Sequence, residues 1–196
     1  MNRPPIDPNI VTSIRLPLAP IAVAFLCTQT VWGTIIAAIL AFALEMTDIA
    51  DGWLARKYKI VTDFGALYDP FSDAFTRYTL FLGLYAIDVA DLWMVIAIFY
   101  RDASVNFFRT ISATRNVVLS ARPSGKIKAV VQGVGTQVVF LALVLTKLFP
   151  AWPIATVPWW SMLIMTVITI LSFVDYFLAN LPLLRDAWAN RPVNKA

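Results

Sequence analysis

The sequence predicts an all-α integral membrane protein, a bundle of six transmembrane helices around a cavity open to the cytoplasmic side. Three observations predict it. The 196 residues are 59% hydrophobic with a mean hydropathy of +0.71, a composition beyond that of soluble domains. The apolar residues fall into six segments of about 20 residues, each long enough for a hydrocarbon core of about 30 Å. The formal charge of +4 is unevenly spread: alternate connections hold nearly all of the Lys and Arg, as the positive-inside rule requires of six spans with both ends cytoplasmic. No histidine is present, which excludes histidine acid–base chemistry and histidine metal ligands. The single Cys27 has no partner for an internal disulfide and is expected to be a small buried apolar side chain. No repeat or long linker divides the chain, so residues 1–196 are expected to form one membrane domain.

The proline-rich stretch 1–9 reads as an irregular lead-in without a cleavable-signal pattern. The first span is expected over 10–27, with Thr12 or Ser13 as a cap and kinks at Pro17 and Pro20. The uncharged turn TQTVWG leads to a second span over 32–58, whose last turns carry Asp48, Asp51 and Arg56. After a basic connection, the third helix is expected to start between 65 and 69, with Pro70 in its first turn, and to end near 87. Asp88 and Asp91 flank a short loop before a fourth span over 92–114, which turns polar at Arg101, Asp102, Asn106 and Arg109. A basic connection over 115–128, containing RPSGKIK, precedes a fifth span over 129–148. The loop with Pro150, Trp152, Pro153 and Pro158 precedes a sixth over 159–178, and 181–196 form a cytoplasmic tail. In this layout Trp32, Trp93, Trp152, Trp159 and Trp160 fall at the outer interface, where Trp is enriched.

The polar focus is the stretch between the second and third spans. Asp48 and Asp51 are three residues apart, Asp69 and Asp73 four, so each pair shares a helix face. An Asp at the bilayer centre costs about 2.5–3.5 kcal/mol on insertion scales, so a purely structural role for four of them is expensive. Converging carboxylates require cations, and hard divalent ions with oxygen ligands suit them. Two such ions can clamp a diphosphate and stabilise in-line displacement at phosphorus. Gly52 and Gly65 would let a ligand approach the backbone. Arg56, on one face with Gly52, is placed to hold a phosphate bidentately. Other charges leave alternatives open. Arg77, one turn past Asp73, either pairs with it or touches phosphate. Arg101 and Arg109 either pair or contact an acceptor phosphate. Asp175 reads as interfacial or as a pairing partner, and Glu45 as a group behind the ligands or an ion-pair partner.

Asp48, Asp51, Gly52, Ala55, Arg56, Gly65, Asp69 and Asp73 fit D-x2-D-G-x2-A-R-x8-G-x3-D-x3-D at every fixed position, a match with chance odds on the order of 10⁻¹⁰ at a given start. This is the motif of the CDP-alcohol phosphotransferases, and the chain resembles that family. The resemblance implies a membrane enzyme that transfers a phosphatidyl group from CDP-diacylglycerol to an alcohol and releases CMP. It implies Asp48, Asp51, Asp69 and Asp73 as ligands of Mg²⁺ or Mn²⁺, two ions, with Asp73 also the general base. Gly52, Ala55, Arg56 and Gly65 are then substrate-binding. No organic cofactor and no nucleic acid is implied; membrane lipids surround the chain, and a homodimer is typical of the family.

Gly125-Lys126-Ile127-Lys128, followed by Gln132, is similar to the G-K-x-K-T segment of the phosphatidylglycerophosphate synthase branch, and Asn9, Thr12, Arg15 and Pro20 are similar to its opening. Ala129 and Arg101-Asp102 depart from that pattern. The branch implies glycerol 3-phosphate as acceptor, bound by Arg101, Arg109, Lys126 and Lys128; the alternative for that basic run is topology and attraction to anionic lipid. Inositol phosphate, serine or another alcohol remains as an alternative acceptor. A transporter using the acidic cluster is the alternative class, disfavoured because neither repeat halves nor broken midplane helices are evident.

Overall fold

Long apolar runs separated by connections of three to eight residues leave the backbone one economical solution in lipid, which is to satisfy its hydrogen bonds within helices. The computed structural model of the chain describes the backbone of residues 8–58, 63–115 and 122–189, with side chains described there except at 8, 9, 11, 51–58, 63, 64, 66 and 67. Among these residues there are six helices and no strand: α1 (Pro8–Cys27), α2 (Val31–Tyr58), α3 (Asp63–Ala86), α4 (Leu92–Thr114), α5 (Pro123–Leu148) and α6 (Val157–Trp188).

Four boundaries differ from the sequence expectation. Helix α1 begins at Pro8 and runs unbroken through Pro17 and Pro20. Thr12 and Ser13 therefore lie inside it and are not caps. Helix α3 begins at Asp63, which puts Pro70 in its body. Helix α5 begins at Pro123, the favoured first-turn position for proline, so Gly125, Lys126 and Lys128 are helical rather than part of a loop. Helix α6 continues to Trp188, absorbing the first half of the expected tail. The sequence signal for an end at 178 was the thinning of apolar residues, but nothing there breaks a helix until after Pro182.

Helix α1 packs against α2 and α3, α5 against α2 and α6, and α4 against α6 and α3. The core runs through all six, from Ala19, Ala22 and Leu26 of α1 to Met162 and Met165 of α6. Small residues set the close crossings, as expected where lipid gives helices no hydrophobic reason to associate. A Cβ at Gly83 would lie 2.6 Å from a methyl of Val23, so α3 and α1 meet there only because the position is glycine. At one end, two connections are tied to helix ends: Lys147 of α5 donates to the carbonyl of Gln29 at 2.9 Å, and the Trp159 indole of α6 donates to Asp91 at 3.1 Å.

The outer surface carries large apolar side chains, among them Ile39, Phe42, Leu82, Leu141, Leu171 and Leu178, each more than half exposed. Three helices, Val31–Ala50 of α2, α5 and α6, are long and apolar enough to cross a membrane. Together with the apolar exterior, this is the make-up of a membrane protein.

Candidate active site

Helix α1 gathers the aspartates. Arg15 sits on its buried face, with its side chain 2% exposed. Its Nη1 donates to Asp48 Oδ1 of α2 at 2.8 Å and also to Asp73 Oδ1 of α3. One turn earlier, Thr12 Oγ1 donates to Asp69 Oδ1 at 3.2 Å, and Ser72 Oγ of α3 donates to the Thr12 carbonyl at 3.2 Å. Ser13 and Tyr68 share a 3.0 Å hydrogen bond beside them. The i, i+4 spacing of Asp69 and Asp73 meets the i, i+3 spacing of Thr12 and Arg15, so the α1–α3 pairing fixes both carboxylates together. A buried guanidinium is tolerable only with such compensation.

Asp48 and Asp73 remain about one-third exposed, at 33% and 34%, because they face a cavity. The cavity is a small cleft, partly open to solvent. Its walls include Arg15, Glu45, Asp48, Asp73, Thr76 and Arg77. Glu45 lies against Gly133 of α5, where a Cβ would collide with its carboxylate.

A second polar cluster joins α4, α5 and α6. Arg101 Nη1 donates to Asp102 at 2.8 Å, and its Nη2 donates to Ser172 Oγ at 2.9 Å. Lys128, 8% exposed, reaches both Asp102 oxygens at 2.8 Å. Arg122 clasps Asp175 through two bonds of 2.8 and 2.7 Å, tying the start of α5 to α6. Arg77 Nη1 donates to Gln132 Oε1 at 3.2 Å.

Of the sequence-predicted site residues, Asp48, Asp69 and Asp73 come together. Asp51, Gly52, Ala55 and Arg56 lie on α2 with side chains outside the described residues, and Gly65 is half-buried near the start of α3. Arg101 and Lys128 meet at Asp102, whereas Arg109 and Lys126 are exposed. Asp73 takes Arg15 as its partner and not Arg77, which corrects one of the two readings of Arg77. Asp175 is a pairing partner. Sequence reasoning took Thr12 as a possible cap and matched Thr12 and Arg15 to the branch's opening, without placing either at the aspartates; their i, i+3 spacing on an otherwise apolar helix was the available signal.

The donors here are carboxylate oxygens, the chemistry that Mg²⁺ or Mn²⁺ prefers. Among the described residues no three acidic groups stand close enough to hold a metal, since Arg15 takes Asp48 and Asp73 and the Asp51 side chain lies outside the described set. Electrostatically, the arrangement is an acidic pocket edged by guanidinium groups, suited to an anion that arrives with cations.

Comparison with known proteins bears on this site. The sequence profile of the CDP-alcohol phosphatidyltransferase family matches residues 6–174. The chain is 30% identical over 185 residues to a CDP-diacylglycerol–glycerol-3-phosphate 3-phosphatidyltransferase of Bacillus subtilis, covering 88% of this chain and 94% of that one. It is 29% identical over 160 residues to the protein of the same description in Treponema pallidum, covering 76% and 72%. It is 32% identical over 141 residues to a probable phosphatidylglycerophosphate synthase of Mycobacterium tuberculosis, covering 69% and 66%. With the eight-position motif intact and its Asp48 and Asp73 lining one cavity, the chain belongs to the CDP-alcohol phosphatidyltransferase family and is a phosphatidyltransferase enzyme.

Proposed function

We propose that the protein transfers the phosphatidyl group of CDP-diacylglycerol to glycerol 3-phosphate, forming phosphatidylglycerophosphate and CMP. The observation that carries this is the convergence of Asp48, Asp69 and Asp73 on Thr12 and Arg15 beside an open cavity. The relatives' descriptions supply the substrates.

In the reaction the acceptor hydroxyl oxygen attacks the phosphorus of the phosphatidyl group. The bond from that phosphorus to the bridging diphosphate oxygen breaks, and CMP leaves. The hydroxyl proton passes to the Asp73 carboxylate, the general base. Asp48, Asp51, Asp69 and Asp73 would hold two Mg²⁺ or Mn²⁺ ions, whose charge would neutralise the diphosphate and polarise the phosphoryl group. Arg15 keeps Asp48 and Asp73 at one point. Gly52, Ala55, Arg56 and Gly65 line the nucleotide's approach. Arg101, Arg109, Lys126 and Lys128 serve the acceptor phosphate; Arg101 and Lys128 set two cations against the single Asp102 carboxylate, so their cluster keeps a net positive charge.

All six helices cross the inner membrane, with both chain ends cytoplasmic and the cavity on that side. Helix α1, the shortest at 20 residues, spans about 30 Å at 1.5 Å per residue, and Asp73 and Arg77 of α3 and Arg101 and Asp102 of α4 are engaged within the bundle. The enzyme works as a homodimer within a single domain.

The test is CMP release from CDP-diacylglycerol by purified protein, one acceptor at a time, with the lipid product identified by mass spectrometry. Glycerol 3-phosphate is expected to give metal-dependent release and phosphatidylglycerophosphate. Release with inositol phosphate or serine alone would overturn the acceptor and keep the reaction class.

A further inference from the structure

Beyond the aspartates, a directed chain of hydrogen bonds crosses from α3 through α5 to α6. Arg77 Nη1 donates to Gln132 Oε1 at 3.2 Å, Gln132 Nε2 donates to Thr169 Oγ1 at 3.0 Å, and Thr169 Oγ1 donates to the Met165 carbonyl at 2.7 Å. Its polarity has one solution. A guanidinium only donates, so the amide must turn its oxygen to Arg77. The Thr169 hydroxyl has committed its proton to Met165, so it can only accept from the amide nitrogen. Gln132 and Thr169 are both 0% exposed. A buried amide is tolerable when both ends are bonded and costly when either is not.

The cation at the end of this chain has a neutral group as its direct partner, with the Asp73 carboxylate acting on it at longer range. Arg15 pairs with Asp48 and Asp73, Arg101 and Lys128 with Asp102, and Arg122 with Asp175. Arg77 is fastened by an amide, which fixes its direction without cancelling its charge. It lines the cavity beside Asp73, one helical turn further along α3. Held by one nitrogen, the planar fork keeps donors for a second partner, the geometry that suits phosphate oxygens.

We infer that Arg77 binds a phosphate oxygen of a substrate in the cavity, and that Gln132, braced by Thr169, is the positioning residue that aims it. The inference deepens the phosphatidyl-transfer reading and rests on it for the choice of anions. Two sources supply the same chemistry: the diphosphate of the donor nucleotide and the phosphate of the acceptor.

The experiment titrates CDP and glycerol 3-phosphate separately into the detergent-solubilised full chain in Mg²⁺, by calorimetry. The variants are Arg77→Gln, Gln132→Leu, Thr169→Val and the Arg77→Gln/Gln132→Leu double. Arg77→Gln is expected to weaken one anion by about 10- to 100-fold, as loss of a charge-assisted bond does. Weakened CDP identifies the donor diphosphate, and weakened glycerol 3-phosphate the acceptor phosphate. Gln132→Leu and the milder, near-isosteric Thr169→Val should weaken the same anion by about 3- to 10-fold, through misaligned geometry. Gln132→Leu should add nothing in the Arg77→Gln background, because the two act as one unit. A merely structural Gln132 would lower the melting temperature and leave both affinities unchanged. Unchanged affinities in Arg77→Gln, a Gln132→Leu effect that persists without Arg77, or a wild type that binds neither anion would overturn the inference. A wild type that binds these anions yet releases no CMP would sink the phosphatidyl-transfer reading and leave this one standing.

Discussion

Arg15 is the residue on which the site turns, because it alone among the described residues bridges carboxylates of both α2 and α3. Arg15→Ala leaves Asp48 and Asp73 facing each other without their cation. Both carboxylates are one-third exposed, so water screens part of the loss, and about 1–3 kcal/mol of stability is expected to go. The same substitution frees both groups for metal. Thermal melting in detergent with and without Mn²⁺ should therefore show a larger metal-induced rise for Arg15→Ala than for wild type; equal rises would refute the competition between guanidinium and cation. Gly133→Ala makes a separate residue-scale case. Its methyl would displace the Glu45 carboxylate within the cavity. That carboxylate is the movable end of a side chain, so activity is expected to fall several-fold in a CMP-release assay with little change in melting temperature. The aspartates were legible in the sequence because their spacing is a pattern within one stretch. Thr12 and Arg15 were not legible as their partners: a hydrogen bond across 57 residues leaves no local trace, and an Arg near a cytoplasmic helix end has a topological explanation at hand.

Helix existence followed from apolar length, and α4 matched its expected limits because the polar residues on either side of it are abrupt. The misplaced starts of α3 and α5 share a cause. Polar, charged residues at a membrane surface read as loop by hydropathy, yet they are good helix formers when the helix simply continues into water. Lys126 and Lys128, taken from a basic connection, thus lie two residues apart on a helix, one exposed and the other buried against Asp102. At this scale the crossing of α1 and α3 is the most exacting feature, since it brings Thr12 and Arg15 to Asp69 and Asp73. Gly83→Leu wedges that crossing open against Val23, a short branched side chain with nowhere to retreat. Overpacking of this kind costs about 1–3 kcal/mol, and thermal unfolding in detergent should show it together with a loss of CMP release. Wild-type behaviour in both would mean that the helices separate more easily than the packing implies.

For the whole molecule, charge asymmetry and Trp placement predict one end of the bundle outside and the aspartate end inside. A single native cysteine makes this testable: in a Cys27→Ala background, Ala151→Cys between α5 and α6 should react with a membrane-impermeant maleimide from outside intact cells. Ala189→Cys, at the end of α6, should react only in inverted vesicles; the opposite pattern would invert the topology. The division of labour across the molecule is that α1 assembles, α2 and α3 carry the carboxylates, α4 and α5 carry Arg101 and Lys128, and α6 buttresses Arg101 through Ser172. The central claim is that the carboxylates gathered by α1 perform phosphatidyl transfer. Its most direct measurement is the rate of CMP release from CDP-diacylglycerol and glycerol 3-phosphate by wild type and Asp73→Asn, matched for melting temperature and assayed with and without Mg²⁺. Release that requires the metal and falls by about 10²–10⁴-fold in the variant is the predicted result. A folded Asp73→Asn protein that releases CMP at the wild-type rate would contradict the account.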